Sequence, residues 1–288
     1  ADVRSFRKML GGSPTNVAVA AARLGRRSGV VTKVGDDGFG DYVRAALARF
    51  DVDASHVGSH PTLRTPLAFC EVFPPDSFPL LFYREPMAPD LTLEAAELPR
   101  ERVVAASIFW ATGTGLCAEP SRAATLEALR LRGRKAHTVF DIDFRTTFWD
   151  SEREAAALYR EALAYATVAI ANREEAAVAV GDQGPERMAE ALLGLGVELA
   201  VVKLGDEGAL AVTTSETVRV DALPVRVLNG LGAGDAFGGA LCHGLLAGWE
   251  LERTLRFANA AGALVASRLG CADEMPTVEE VDGLLCAA

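Results

Sequence analysis

The sequence predicts an α/β fold in which a mostly parallel sheet is covered by helices on both faces. The first observation behind this is an alternation of short apolar, β-branched runs with helical patterns along most of the 288 residues. Strands separated by helices pair in parallel and place those helices on the sheet faces. The second observation is one interruption. Residues 67–73 and 80–84 are strand-like, and Pro74-Pro75-Asp76-Ser77 joins them without a helix. Two strands so closely linked pair antiparallel, so this hairpin is expected to stand apart as a lid, spanning about residues 62–90.

Each element follows from local chemistry. Ser13 suits a helix N-cap and Pro14 the first turn, with Val17, Ala20, Ala21 and Leu24 on one face and Gly25 at the stop. Residues 29–34 read as a strand, 38–50 as a helix, 108–111 as a short strand and 120–132 as a helix. The strand 138–142 precedes a helix at 152–166, and the strand 168–171 precedes helical segments starting at Glu174 and Pro185. Strands at 199–204, 208–214 and 218–220 and an apolar run at 225–228 come next. Helices at 233–247 and 251–269 complete the pattern, and the whole chain reads as one unit.

Half of the residues are hydrophobic, enough for a large core, and the formal net charge is −10. That charge argues against sequence-independent nucleic-acid binding, which needs Lys and Arg to neutralise phosphates. It leaves nucleotide binding open, because backbone N–H groups hold phosphate without a basic surface. Cys70, Cys117, Cys242, Cys271 and Cys286 show neither CxxC pairing nor zinc spacing, so free thiols are expected. No stretch is apolar enough to predict a membrane span, and a cytoplasmic location is expected. His56, His60, His137 and His243 are scattered and carry no expected role; Trp110, Trp149 and Trp249 are expected in the core.

Four polar or glycine-rich clusters follow predicted strands: Asp141 to Arg145, Asn172 to Glu175, Lys203 to Gly208, and Asn229 to Asp235. Ligands of open α/β sheets bind beyond the carboxyl ends of the strands, so four clusters on that edge predict one site. In the last, Gly230, Gly232 and Gly234 leave the backbone open just where a long helix begins, an anion site by its free N–H groups and dipole. Asp235 beside it suits a base that takes a proton from an attacking hydroxyl during phosphoryl transfer. From spacing alone, a tight turn with a helix-start Asp is an equal reading. Asn172 and Glu175 read first as a helix cap and second as a pair holding the water shell of Mg²⁺. Lys203, Gly205 and Gly208 read as a strand end and turn, or as a track for nucleotide phosphates. Arg84 and Arg145 read as surface ion pairs or as partners of a substrate carboxylate. The spacing is neither a P-loop nor a dinucleotide fingerprint.

Gly11-Gly12-Ser13-Pro14-Thr15-Asn16 and Gly232-Ala233-Gly234-Asp235-Ala236-Phe237 resemble the two signatures of ribokinase-like sugar kinases, the pfkB carbohydrate kinase family. Asn172-Arg173-Glu174-Glu175 is similar to the NxxE motif that lies between them. The resemblance implies a three-layer α/β/α sandwich with a small β lid, and ATP and Mg²⁺ as cofactors. It implies Asp235 as catalytic base, and Gly232, Ala233 and Gly234 as the anion hole. Lys203, Gly205, Gly208 and Asn259 fall where nucleotide is approached, Gly12 and Asn16 where sugar hydroxyls bind, and Asn172 and Glu175 beside the magnesium, through water. It also implies a strand upstream of Gly11, bearing a substrate-binding acidic residue, before the point at which this chain starts. Asn229 stands where many relatives carry an Asp serving a monovalent cation, so potassium activation is not expected. Residues 69–76, 82–84, 141–145 and 228–232 resemble a subgroup of myo-inositol breakdown that phosphorylates the 6-hydroxyl of 5-dehydro-2-deoxy-D-gluconate. A subgroup acting on 2-keto-3-deoxygluconate is the alternative, and a non-catalytic sugar- or nucleotide-binding homologue the further one. The expected partners are a sugar acid and ATP, with no nucleic acid or membrane, and pairing of two lids into a homodimer.

Overall fold

The computed structural model describes residues 4–74 and 77–287. The chain begins with helix α1 (Ser13–Arg23), strand β1 (Ser28–Gly35), α2 (Gly38–Arg49), β2 (Val52–His60) and the hairpin β3 (Leu67–Cys70) and β4 (Leu80–Tyr83). Next come α3 (Arg100–Ala105), β5 (Phe109–Thr112), α4 (Ser121–Arg132), β6 (Thr138–Asp141), α5 (Glu152–Leu163), β7 (Val168–Asn172), α6 (Arg173–Val180) and α7 (Pro185–Gly194). The rest is β8 (Leu199–Lys203), β9 (Ala209–Val212), β10 (Thr217–Val220), α8 (Ala233–Ala247), α9 (Leu251–Ala266) and α10 (Val278–Ala287).

The main sheet has six strands in the order β10-β9-β8-β7-β6-β5. β5 to β8 are parallel, while β9 and β10 run antiparallel to their neighbours. β1 and β2 form a separate parallel pair, and β3 and β4 the expected antiparallel hairpin, with Leu67 opposite Tyr83 and Cys70 opposite Leu80.

Alternation along the central strands builds two cores, because successive side chains point to opposite faces. Val139, Ile170, Val201 and Ala211 join the α1, α8 and α9 side with Val19, Leu241 and Phe257. Phe140, Ala169, Val202 and Leu210 join the α4 to α7 side with Leu129, Tyr159 and Met188. The result is the expected three-layer sandwich. The three tryptophans pack against these cores as expected. The cysteines are free, and no described helix is long and apolar enough to cross a membrane.

Several boundaries differ from the expectation. Gly12, not Ser13, is the N-cap of α1, and no side chain caps it. Residues 225–228 form no strand; instead the Leu228 and Asn229 amides both donate to the carbonyl oxygen of Ala266 near the end of α9. The hairpin strands stop at Cys70 and Tyr83, and Pro75 and Asp76 of the expected turn lie outside the described residues. β2, α3 and α10 were not foreseen.

Candidate active site

The carboxyl ends of β6, β7 and β8 lie side by side, so Asp141, Asn172 and Lys203 come to one edge. The start of α8 meets them there: a Cβ on Gly234 would come within 3.2 Å of the Lys203 ammonium. Gly232, in the left-handed region at φ +81°, turns the chain into that helix. Ala236 donates to the Gly232 carbonyl, so the amides of Ala233, Gly234 and Asp235 precede it with no carbonyl of the helix to take them. The four predicted clusters therefore do converge at Asp141, Asn172, Lys203 and the start of α8.

Asp235 is held from outside its own helix. Ser13 Oγ donates to its Oδ1 at 2.8 Å and Asn16 Nδ2 to its Oδ2 at 2.7 Å. Although Asp235 keeps partial exposure, the protein around it removes most hydrating water, and this raises its pKa. The bonds from Asn16 and Ser13, and the charges of Lys203 and Arg145, oppose that rise. A carboxylate so balanced is a better proton acceptor than a fully solvated one. Ser13 is thus a site residue that the sequence presented only as a helix cap. Asn16, 4% exposed, keeps Oδ1 buried without a partner, a free acceptor beside Asp235. Gly12, at φ +97°, adopts a backbone conformation at the start of α1 that favours glycine.

Asn172 and Glu175 form a reciprocal capping box: Glu175 N donates to Asn172 Oδ1 at 2.8 Å, and Asn172 N to Glu175 Oε2 at 2.7 Å. Arg145 Nη1 occupies Glu175 Oε1 at 3.3 Å. Direct metal ligation would break this box, and no group of three or more metal-ligating side chains occurs among the described residues. With both Glu175 oxygens already engaged, the residues present would suit Mg²⁺ only as a hydrated ion, whose waters Asn172 and Glu175 would face.

Charge in this site is concentrated. Burial raises Asp141 well above the usual carboxylate range, with Lys203 only partly opposing it. Burial opposes the charge of Lys203, yet the carboxylates of Asp141, Glu175 and Asp235 raise its pKa, so it stays an ammonium. Asp141 and Asp143 belong to a cluster the sequence singled out only for Arg145.

Other predicted residues stand further off. Arg84 pairs with Asp90 at 2.6 Å and lies 4.9 Å over the Phe148 ring, at the root of the hairpin. Gly205 and Gly208 bracket the turn between β8 and β9, and a Cβ on Gly208 would collide with the Val220 carbonyl. Asn259 donates to the Asp221 carbonyl at 2.8 Å, on the helix whose Gly262 abuts the first residue of α8.

The sequence profile described as pfkB family carbohydrate kinase matches residues 1–278. Among curated proteins, a 5-dehydro-2-deoxygluconokinase of Clostridium perfringens is 33% identical over 96% of this chain and 84% of its own. The protein of that name from Bacillus subtilis is 32% identical over 99% and 89%. Among solved structures, a protein named as a ribokinase II from E. coli, in complex with ATP and Mg²⁺, has a TM-score of 0.90 and 25% identity, covering 100% of this chain and 92% of that one. A fructokinase of Vibrio cholerae with fructose, ADP and calcium has a TM-score of 0.86 and 28% identity, covering 96% and 90%.

Proposed function

The chain belongs to the pfkB family of carbohydrate kinases, and on that premise we propose that it transfers the γ-phosphate of ATP to a primary hydroxyl of a sugar acid. The substrate proposed is 5-dehydro-2-deoxy-D-gluconate, acted on at its 6-hydroxyl, as a step of myo-inositol breakdown. The names of the curated relatives support this choice. The observation that carries the chemistry is the Asp235 carboxylate, fixed by Ser13 and Asn16 next to three amides at the start of α8.

In this reading the sugar hydroxyl lies against Asp235. Its oxygen forms the new bond to the γ-phosphorus, its proton passes to the Asp235 carboxylate, and the bond to the bridging β–γ oxygen breaks to release ADP. The amides of Ala233, Gly234 and Asp235 take the charge on the moving phosphoryl oxygens, and Lys203 adds a cation beneath them. Bound Mg²⁺ would supply positive charge to the phosphates, and Asn172 and Glu175 would hold its waters. Gly12 and Asn16 hold sugar hydroxyls, and Arg84 and Arg145 serve the acidic substrate. Gly205, Gly208 and Asn259 border the nucleotide. Residues 1–288 act as one catalytic unit with 62–90 as its lid, and the exposed lid face suits pairing with a second copy.

ATP-dependent phosphorylation of 5-dehydro-2-deoxygluconate, 2-keto-3-deoxygluconate, ribose and fructose tests the proposal. Preference for the first substrate is expected. Preference for ribose or fructose would overturn the sugar-acid reading.

A further inference from the structure

The loop after β6 carries a backbone conformation that is uncommon for its residue type. Asp143 is not a glycine, yet its φ is +36°. A non-glycine residue in that region costs free energy, and its surroundings must hold it there. Its carboxylate is 8% exposed and both oxygens are engaged. Thr114 Oγ1 donates to Oδ2 at 3.0 Å, and Arg145 Nη2 forms an ion pair with Oδ1 at 2.9 Å. Thr114 lies in the turn after β5, which presses so closely on this loop that a Cβ on Gly113 would collide with the Ile142 carbonyl. Two strand ends therefore fix one carboxylate.

That carboxylate in turn fixes a guanidinium. Arg145 Nη1 donates to the Phe144 carbonyl at 2.9 Å and to Glu175 Oε1 at 3.3 Å. An arginine has five N–H donors. These bonds use Nη1 and the ion pair with Asp143 faces Nη2, while Nε–H donates to no group among the described residues, so the Nε–Nη2 side of the planar fork keeps donors to offer. Such a side takes a carboxylate through two parallel hydrogen bonds. The Arg145 side chain is 40% exposed, so a ligand can reach it. Arg84 offers less, with one end on Asp90 and its plane over Phe148.

We propose that Asp143 is a specificity-determining positioning residue, holding the Arg145 fork so that its free side takes the carboxylate of the sugar-acid substrate. This rests on the sugar-acid reading above. Asp143 reaches the substrate only through Arg145, so its removal should affect one Michaelis constant and spare the other.

Steady-state kinetics of the wild type, Asp143→Asn and Thr114→Val provide the test, with 5-dehydro-2-deoxygluconate, fructose and ATP each varied, alongside the thermal midpoint of each variant. Asp143→Asn should raise KM for the sugar acid about tenfold or more, the scale of a charge-assisted hydrogen bond, and leave KM for ATP within about twofold. Thr114→Val, which leaves the ion pair in place but frees its carboxylate, should shift the same constant by less. A wild type that prefers fructose would sink the sugar-acid reading and the proposal with it. A wild type that prefers the sugar acid, with both variants unchanged in its KM or raised equally for ATP, would overturn the proposal alone.

Discussion

The carboxyl edge of the main sheet and the β3–β4 hairpin, the proposed lid, are built on opposite principles. At the sheet edge, charged groups are fixed by several partners at once, some distant and some local: Asp235 by α1 across 222 residues of sequence, Arg145 by Glu175 across 30 and by nearby Asp143, and Glu175 by nearby Asn172. The hairpin has two strands of four residues each and no helix of its own. Its outer face shows Leu81 and Tyr83, each 58% exposed. It is tied down at its root, by Arg84 to Asp90, by Phe82 against Phe148 at 5.0 Å, and by Asp37, whose carboxylate accepts from the Thr65 amide and hydroxyl. Preorganised charge favours a rigid frame, whereas a cover over a site favours a weakly packed one. Substitutions at the edge should therefore cost stability, turnover or, at the Asp143–Arg145 pair, sugar-acid affinity, and those in the hairpin mainly substrate affinity.

The largest effect expected outside Asp235 is at Gly208. Replacement by Ala sets a Cβ against the Val220 carbonyl and should destabilise by about 3 kcal/mol. Gly205→Ala, in open space at φ +65°, should cost about 1 kcal/mol, the left-handed backbone penalty alone. Chemical denaturation compares the two, and equal losses would show that the β8–β9 turn is not held by that close approach. Arg84→Ala comes next. It leaves Asp90 without its guanidinium and should raise KM for the sugar about tenfold, with a smaller change in kcat. An unchanged KM would detach Arg84 from the proposed substrate site.

Asp37→Ala should cost about 1 kcal/mol near neutral pH, the usual scale of an N-cap. Burial alone would raise the Asp37 pKa, but bonds from Thr65, Gly40 and Phe39 together hold it below its ordinary 3.8. Its stabilisation is therefore full above that value and drains away as pH falls through the lowered one. Denaturation of wild type and variant at about pH 7 and again at about pH 2 should show the gap closing in acid. Smallest of all, Leu81→Ser should change stability by no more than about 0.5 kcal/mol. If lids pair, it should weaken the dimer in sedimentation.

The edge was far more legible in the sequence than its surroundings. Glycines before a helix, an Asp at its start and polar clusters after apolar runs are local patterns, and they pointed to Asp235, Lys203, Asn172 and Glu175, which the fold brings to one edge. What joins them is not local. Ser13 meets Asp235 across 222 residues of sequence, so its hydroxyl looked like a cap. Asp143 lay in the polar cluster after β6, but its partner Thr114 is 29 residues away, so its role was not visible there. β2 escaped because only Val52 and Val57 of its nine residues are buried, which hides the period of a strand. The run 225–228 had the right composition but no neighbouring strand, and the ladder decides a strand more than its side chains do.

The most direct test is Asp235→Asn, assayed for turnover of 5-dehydro-2-deoxygluconate with ATP and Mg²⁺ and, separately, for ATP binding. Loss of kcat by about 10² to 10⁴, the usual contribution of a general base, with ATP affinity retained, is the predicted result. A variant that turns over at the wild-type rate would contradict the assignment of Asp235 as the base.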